Sequence, residues 1–307
     1  MVLPAFVALL LLFASGLLLS RIRFCMVGTV RLALRGEWAD TQATLIICSM
    51  ITAVLLLAGL AEHRPLEQYG APLRVLAGGL LFGVTAAWNK GCFVGTSIQL
   101  MAGDLRGLIS VVGWVLGFRL LGSPMALPVL PSSDGRALIT LAVLVLPLLL
   151  LLWRNRLRPS TGPDQQQVDW RSSILCGVML GVLDNDLWKW DPSAVARALS
   201  QPMALVQAWQ QGQGHVVFGL MLLVGMFADA LIQRRWRWVA PDWRDLPRLG
   251  YGMAMAMGAV LAMGGNDSQL LRYLPNGSPQ GWLAVPAMVG GIIAGFRIAE
   301  ALNLKQR

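Results

Sequence analysis

The sequence predicts an all-α integral membrane protein, with about nine transmembrane helices and four re-entrant half-helices in an inverted repeat. Three observations predict it. Of the 307 residues, 56% are hydrophobic and only 13% charged, with mean hydropathy +0.60. A soluble domain carries roughly 25% charged residues, so this chain cannot coat a globule of its size with polar groups. Second, four semi-polar segments rich in Gly, Asp or Asn separate apolar runs at 21–40, 88–106, 184–201 and 264–280. Third, residues recur at one offset: Arg74 with Arg248, Gly78 with Gly252, Gly91 with Gly265, Cys92 with Asn266, and Gly107 with Gly281.

In chain order, the apolar runs predict spans at 2–20, 42–61, 73–89, 107–122, 137–153, 173–183, 215–232, 249–263 and 281–299. A span needs about 20 apolar residues, fewer where helices are short and packed. The first run lacks a basic leading region and a small-residue cleavage site, so it reads as a helix. Residues 154–172, with Arg154, Arg156, Arg158, Pro159, Pro163 and Gln165–Gln167, form the one linker. They divide the chain into a first membrane repeat, 1–153, and a second, 173–307. With alternating spans, most of the 25 Lys and Arg fall on the side holding 21–41, 88–106, 154–172, 233–248 and the C-terminus. The positive-inside rule makes that side cytoplasmic and the N-terminus external. The net charge of +9 then lies in short loops between apolar runs, which argues against a nucleic-acid partner and for the lipid bilayer.

Each semi-polar segment predicts a half-helix with a distinctive residue at its start. Cys25 precedes 26–34, Cys92 precedes 93–102, Asp186 precedes 187–190 and Asn266 precedes 267–274. Non-helical backbone is tolerated at membrane depth only around a cavity or inside protein, and secondary transporters build midplane sites from broken helices. Gly28, Gly91, Gly95, Gly264 and Gly265 supply turns and close approach. Two thiols, an amide and a carboxylate are therefore expected near a pore. Cys48 and Cys176 lie within apolar spans and read as small core residues. Asp267 reads as a helix cap or a proton acceptor, and Asp104 with Arg106 as a pair steadying a re-entrant loop. Asp186 stands as an intramembrane charge or a loop residue beside Asp184.

The stretch Arg23-Phe-Cys25-Met-Val-Gly28-Thr-Val-Arg31 and the gapped Gly91-Cys92-Phe-Val-Gly95-Thr…Gly103-Asp104-Leu-Arg106-Gly107 resemble the two signatures of the YeeE/YedE sulphur-transport family. The resemblance covers essentially the whole chain. It implies uptake of thiosulfate or a related small inorganic sulfur anion across a bacterial inner membrane. It further implies an hourglass shape and a central pathway of cysteines passing the anion by transient S–H···S contacts. Cys25 and Cys92 match two of the family's three pathway cysteines; the third is replaced here by Asn266. No cofactor, metal or enzymatic activity is expected, since His63 and His215 lie far from either thiol. The alternative is a membrane thiol-redox or persulfide-handling protein using Cys25 with Cys92. The basic cytoplasmic face would suit a small acidic sulfur-carrier protein.

Overall fold

The computed structural model describes residues 5–57, 65–67, 71–121, 129–131, 134–157, 168–183 and 216–302. Helices α1 (Ala5–Arg21), α2 (Met26–Leu34) and α3 (Ala39–Leu57) come first. After them stand α4 (Pro72–Asn89), α5 (Phe93–Met101), α6 (Gly107–Leu121), α7 (Asp134–Leu157) and α8 (Trp170–Leu183). Then come α9 (Val216–Ile232), α10 (Pro247–Leu261), a short α11 (Asn266–Ser268) and α12 (Pro279–Ala301). An antiparallel pair of three-residue strands, Pro65–Glu67 and Val129–Pro131, is an addition to the all-α expectation. The segment 184–201, and with it Asp186, lies outside the described residues, as does 158–167 of the expected linker. α7 extends to Leu157 and α8 begins at Trp170, inside the bounds expected for that linker.

Polarity is distributed as lipid requires. Leu10, Leu116, Leu146, Leu149, Leu220 and Leu231 are exposed, whereas Gln42, Ser49, Thr52, Asn89, Thr96, Asn266, Asp267, Gln269 and Gln280 are buried. A chain in water would invert that pattern. Among the described residues three stretches are long and apolar enough to cross a bilayer: Phe6–Leu34, which takes in α1 and α2, Ala39–Leu57 and Pro279–Ala301. The bent pair Trp243–Leu261 with Asn266–Tyr273, angled by 43°, makes a fourth. Gly107–Leu120, Leu138–Arg154, Trp170–Leu183 and Gly219–Ile232 are apolar but shorter. At 1.5 Å per residue a 14-residue helix covers only about 21 Å of the roughly 30 Å core, so these do not meet the same length criterion.

The core is a crossing of glycine-rich helices. A Cβ on Gly78 would stand 2.7 Å from the Gly258 carbonyl, so the backbones of α4 and α10 touch. Small residues permit such approach where no hydrophobic drive joins helices. Gly78 meets Gly258 while Trp88 meets Tyr251 at 5.8 Å, so α4 and α10 are antiparallel. Their C-terminal ends therefore lie at opposite ends of the bundle, and each leads into a short element. α4 also packs along α12, with the Trp88 indole donating to the Gly295 carbonyl at 3.0 Å, and α6 packs along α10. α1 packs with α9, and α3 with α8. Exchanging α1 with α8, α3 with α9, α4 with α10 and α6 with α12 leaves this set of pairs unchanged.

One end of the bundle is tied together by charge. Arg21 pairs with Asp169 at 3.6 Å, Arg154 lies over the Trp38 ring at 4.8 Å, and Arg235 bonds Asp229 and the Ser20 carbonyl. These contacts join 21–41 to 154–172 and tie 233–248 to the end of α1 at Ser20, all on the side to which the basic-residue distribution assigns those loops.

Candidate functional site

Two short helices bring the cysteines together. Cys25 caps α2 in extended backbone (φ −153, ψ 115), and its carbonyl accepts from the Thr29 amide at 2.8 Å. Arg23, at φ 53, turns the chain just before it. Cys92 caps α5, its Sγ accepting from the Gly95 amide at 3.4 Å. The two sulfurs lie 3.6 Å apart, and both cysteines are free thiols. Cys92 is fully buried and Cys25 half-buried. Gly95 is what lets them meet. A Cβ there would overlap Cys25 Sγ and stand 3.5 Å from Cys92 Sγ. Gly28, grouped with it from sequence, is different. Its Cβ would rest 3.6 Å from Cys25 Cβ, an ordinary contact, so space does not demand glycine there.

Asn89 holds the turn below the thiols. Its Nδ2 donates to the Gly91 carbonyl (3.0 Å) and Thr96 Oγ1 (3.2 Å), and its Oδ1 accepts from Ser110 (2.6 Å). Sequence reasoning overlooked Asn89; its polar side chain inside an apolar run was the available signal. Above the thiols stands Phe93, packed on Phe82 (5.0 Å), Trp114 (4.8 Å) and Phe118 (6.1 Å).

The second short element approaches Phe93 from the other side. Gly264, at φ 154, makes a turn that L side chains rarely adopt. A Cβ on Gly265 would press on the Phe93 ring and the Asp267 carboxylate. The element corrects the expectation in two respects. Gly265, not Asn266, is the cap, and after Ser268 the chain widens into a π-helical turn, Gln269–Tyr273. The π turn lets the Leu270 carbonyl accept from Cys48 Sγ at 3.2 Å, while Thr52 donates to the Pro275 carbonyl at 3.0 Å. Cys48 is thus a donor as well as core, whereas Cys176 is simply buried. Asn266 is 0% exposed, and neither its Nδ2 nor its Oδ1 has a hydrogen-bond partner among the described residues. Asp267 is buried in the first turn of this element, its Oδ1 beside Gly265.

Asp104 and Arg106 pair as expected, through bonds of 2.7 and 2.6 Å. Burial works against ionisation of Asp104, but the Arg106 bonds and charge prevail and hold it below the usual carboxylate range. The loop is strapped to 237–239 by Arg237 N–H to the Ala102 carbonyl (2.8 Å), Val239 N–H to Gly103 (3.0 Å) and Leu105 N–H to Val239 (2.9 Å). Lys90 stands beside it at φ 64. Burial first, then the like charges of Arg248, Arg106 and Arg31, lower its ammonium pKa. This basic mouth at the far ends of α2 and α5 is assembled from four separated stretches, so no local pattern announced it. Among the described residues no group of three His, Cys, Asp or Glu could hold a metal ion.

Apolar exterior, buried polar interior and opposed short elements meeting at Phe93 define a multi-pass α-helical membrane protein. The chain matches the family model described as Sulphur transport over residues 21–294, and it belongs to that sulphur-transport family. No curated protein matches the chain.

Proposed function

We propose that this protein takes up thiosulfate or a closely related sulfur anion across a bacterial inner membrane, along a path through Cys25, Cys92 and Asn266. In this reading the chain is an hourglass-like inverted repeat of nine spans, 1–153 and 173–307, joined by a cytoplasmic linker. The N-terminus is external, and the basic mouth around Lys90 opens to the cytoplasm. The observation that carries it is the pair of free thiols 3.6 Å apart at the start of two nine-residue helices, facing an opposed segment across Phe93. Thiols offer soft, weakly donating contacts that a sulfur anion can exchange without a covalent step. The first turns of α2 and α5 add amide donors and positive potential beside them. Gly91, Gly95 and Gly265 keep the backbone close, Gly28 lies one turn below Cys25, and Asp104 with Arg106 steadies the loop. Asn266 gives a hard amide where the family pattern has a thiol, and it favours anions with exposed oxygens.

The thiol separation also favours a second reading, redox or persulfide chemistry at Cys25 and Cys92. Competitive uptake of labelled thiosulfate against sulfate, sulfite and selenium analogues, in matched membranes, tests the first. Cys25→Ala and Cys92→Ala should abolish uptake, and Cys176→Ala should not. Asn266→Cys should shift preference towards thiosulfate, and Asn266→Asp should be worst, placing a second carboxylate beside Asp267. Full transport by Asn266→Asp would refute the path. Turnover that requires oxidation to a Cys25–Cys92 disulfide would replace it with the redox reading.

A further inference from the structure

The connection between α9 and α10, residues 233–246, carries more aromatic and cationic surface than a link between two helices needs. Trp236, Trp238 and Trp243 are 43%, 67% and 71% exposed. Tryptophan is ordinarily well covered, and rings left this open on a membrane protein mark the headgroup level of the bilayer. The apolar surface runs on without a break from Leu231 and Ile232 at the end of α9, and Leu246 continues it before α10. The Trp236 and Trp238 rings lie 6.2 Å apart, and Arg244 lies over the Trp243 ring at 5.4 Å. Acidic groups here are already engaged. Asp229 takes Arg235, and Asp245 takes Arg248 at 3.2 Å. Asp242 Oδ1 accepts from the Trp243 amide at 2.7 Å, Asp245 Oδ2 accepts from the Asp242 amide at 3.1 Å, and Arg244 reaches Asp242 only at 4.0 Å. Arg234 and Arg237 are exposed, and their guanidinium groups form no ion pair among the described residues.

We propose that this loop is a docking surface for the headgroups of anionic phospholipids, and that lipid held there steadies the half-helix that begins at Cys92. Guanidinium groups match a phosphodiester in shape and charge, and basic clusters beside a span draw anionic lipid. Continuity with the lipid-facing end of α9 favours lipid over a soluble acidic protein. The coupling to α5 is built from backbone. Arg237 and Val239, on either side of exposed Trp238, donate to the carbonyls of Ala102 and Gly103, and Leu105 N–H donates to Val239. Gly103 is at φ 94, and a Cβ on it would stand 2.5 Å from the Arg237 carbonyl, so the two backbones touch. The strapped turn closes α5, whose nine residues separate it from Cys92 by only about 14 Å. A headgroup that immobilises 237–239 therefore fixes the far end of the helix carrying the buried thiol. The docking surface is independent of the transport reading; its effect on uptake rests on that reading.

The test uses the purified full-length protein in nanodiscs of phosphatidylcholine alone or mixed with phosphatidylglycerol, at equal ionic strength. Tm should rise with the phosphatidylglycerol fraction and saturate. The double variant Arg234→Gln with Arg237→Gln should lose that rise, and Trp238→Ala should diminish it. Arg35→Gln, at an exposed arginine of another loop on the same side, should keep it. In proteoliposomes, phosphatidylglycerol should raise thiosulfate uptake about fivefold or more in the parent and not in the double variant. Equal Tm in both lipids overturns the surface, as does a rise that survives in the double variant or vanishes equally in Arg35→Gln. Inorganic phosphate that reproduces the rise in phosphatidylcholine overturns the lipid in favour of a free anion, and polyglutamate that does so overturns it in favour of an acidic protein. A lipid-dependent Tm with no uptake in either lipid supports the surface and overturns the transport path instead.

Discussion

Gly95 is the residue whose substitution most directly tests the thiol contact. Its amide donates to Cys92 Sγ, which pins the backbone, and the methyl of Gly95→Ala would overlap Cys25 Sγ and lie 3.0 Å from Cys25 Cβ. The overlap is relieved only by separating the sulfurs beyond 3.6 Å. Overpacking of this kind costs about 1–3 kcal/mol. If the cost falls on the arrangement that passes the anion, uptake drops roughly 5- to 150-fold, at 1.36 kcal/mol per factor of ten. Gly28→Ala is the matched control. It is also helical, its Cβ meets Cys25 Sγ only at 4.0 Å, and glycine-to-alanine in compatible backbone stabilises by about 0.4–1 kcal/mol. Its uptake should equal the parent's. The assay is labelled thiosulfate uptake normalised to protein in the membrane, with the rate of oxidant-driven Cys25–Cys92 crosslinking as an independent ruler of the sulfur separation. Gly95→Ala that transports and crosslinks like the parent would refute the reasoning.

Two further predictions concern stability. Asp229 is 1% exposed and pairs with Arg235, whose side chain is 22% exposed and also reaches Ser20. Asp229→Ala removes the carboxylate while Arg235 keeps its Ser20 bonds, and should cost about 1.5–3 kcal/mol, read as a fall in Tm; Glu300→Ala, at the exposed Arg297 pair, should leave Tm unchanged. Asp169 accepts from the Ser172 amide at 3.1 Å and hydroxyl at 2.6 Å at the start of α8, so Asp169→Ala should cost about 1 kcal/mol as a lost cap. The Ser172 bonds, with Arg21 and Arg171, hold the Asp169 carboxyl below its usual range. Its contribution is therefore present above the unfolded carboxylate pKa, about 4, and is lost as pH falls through the lower folded value. Asp169→Asn keeps the cap geometry and should flatten that acid loss, measured as Tm against pH.

The sequence by itself determined the membrane class and the place in the chain of the short elements that begin after Cys25, Cys92 and Gly265. Apolar runs and their breaks are local properties, and the helix bounds follow them within a few residues at α4, α6 and α9. Cys25 and Cys92 were legible for the same reason, since each stands where an apolar run breaks beside glycine. Only the tertiary structure decided which groups meet. The 3.6 Å thiol contact depends on Gly95 lacking a side chain, a fact about two helices crossing rather than about either one. Gly28 carries the same letter in a similar setting and has no such neighbour. The strap of Arg237 and Val239 onto Ala102 and Gly103 joins stretches far apart in the chain. The basic mouth gathers Arg31, Lys90, Arg106 and Arg248 from four stretches. Residue type and spacing record how each segment meets water or lipid, whereas unsatisfied polar atoms and close backbones arise between segments, from the geometry of packing.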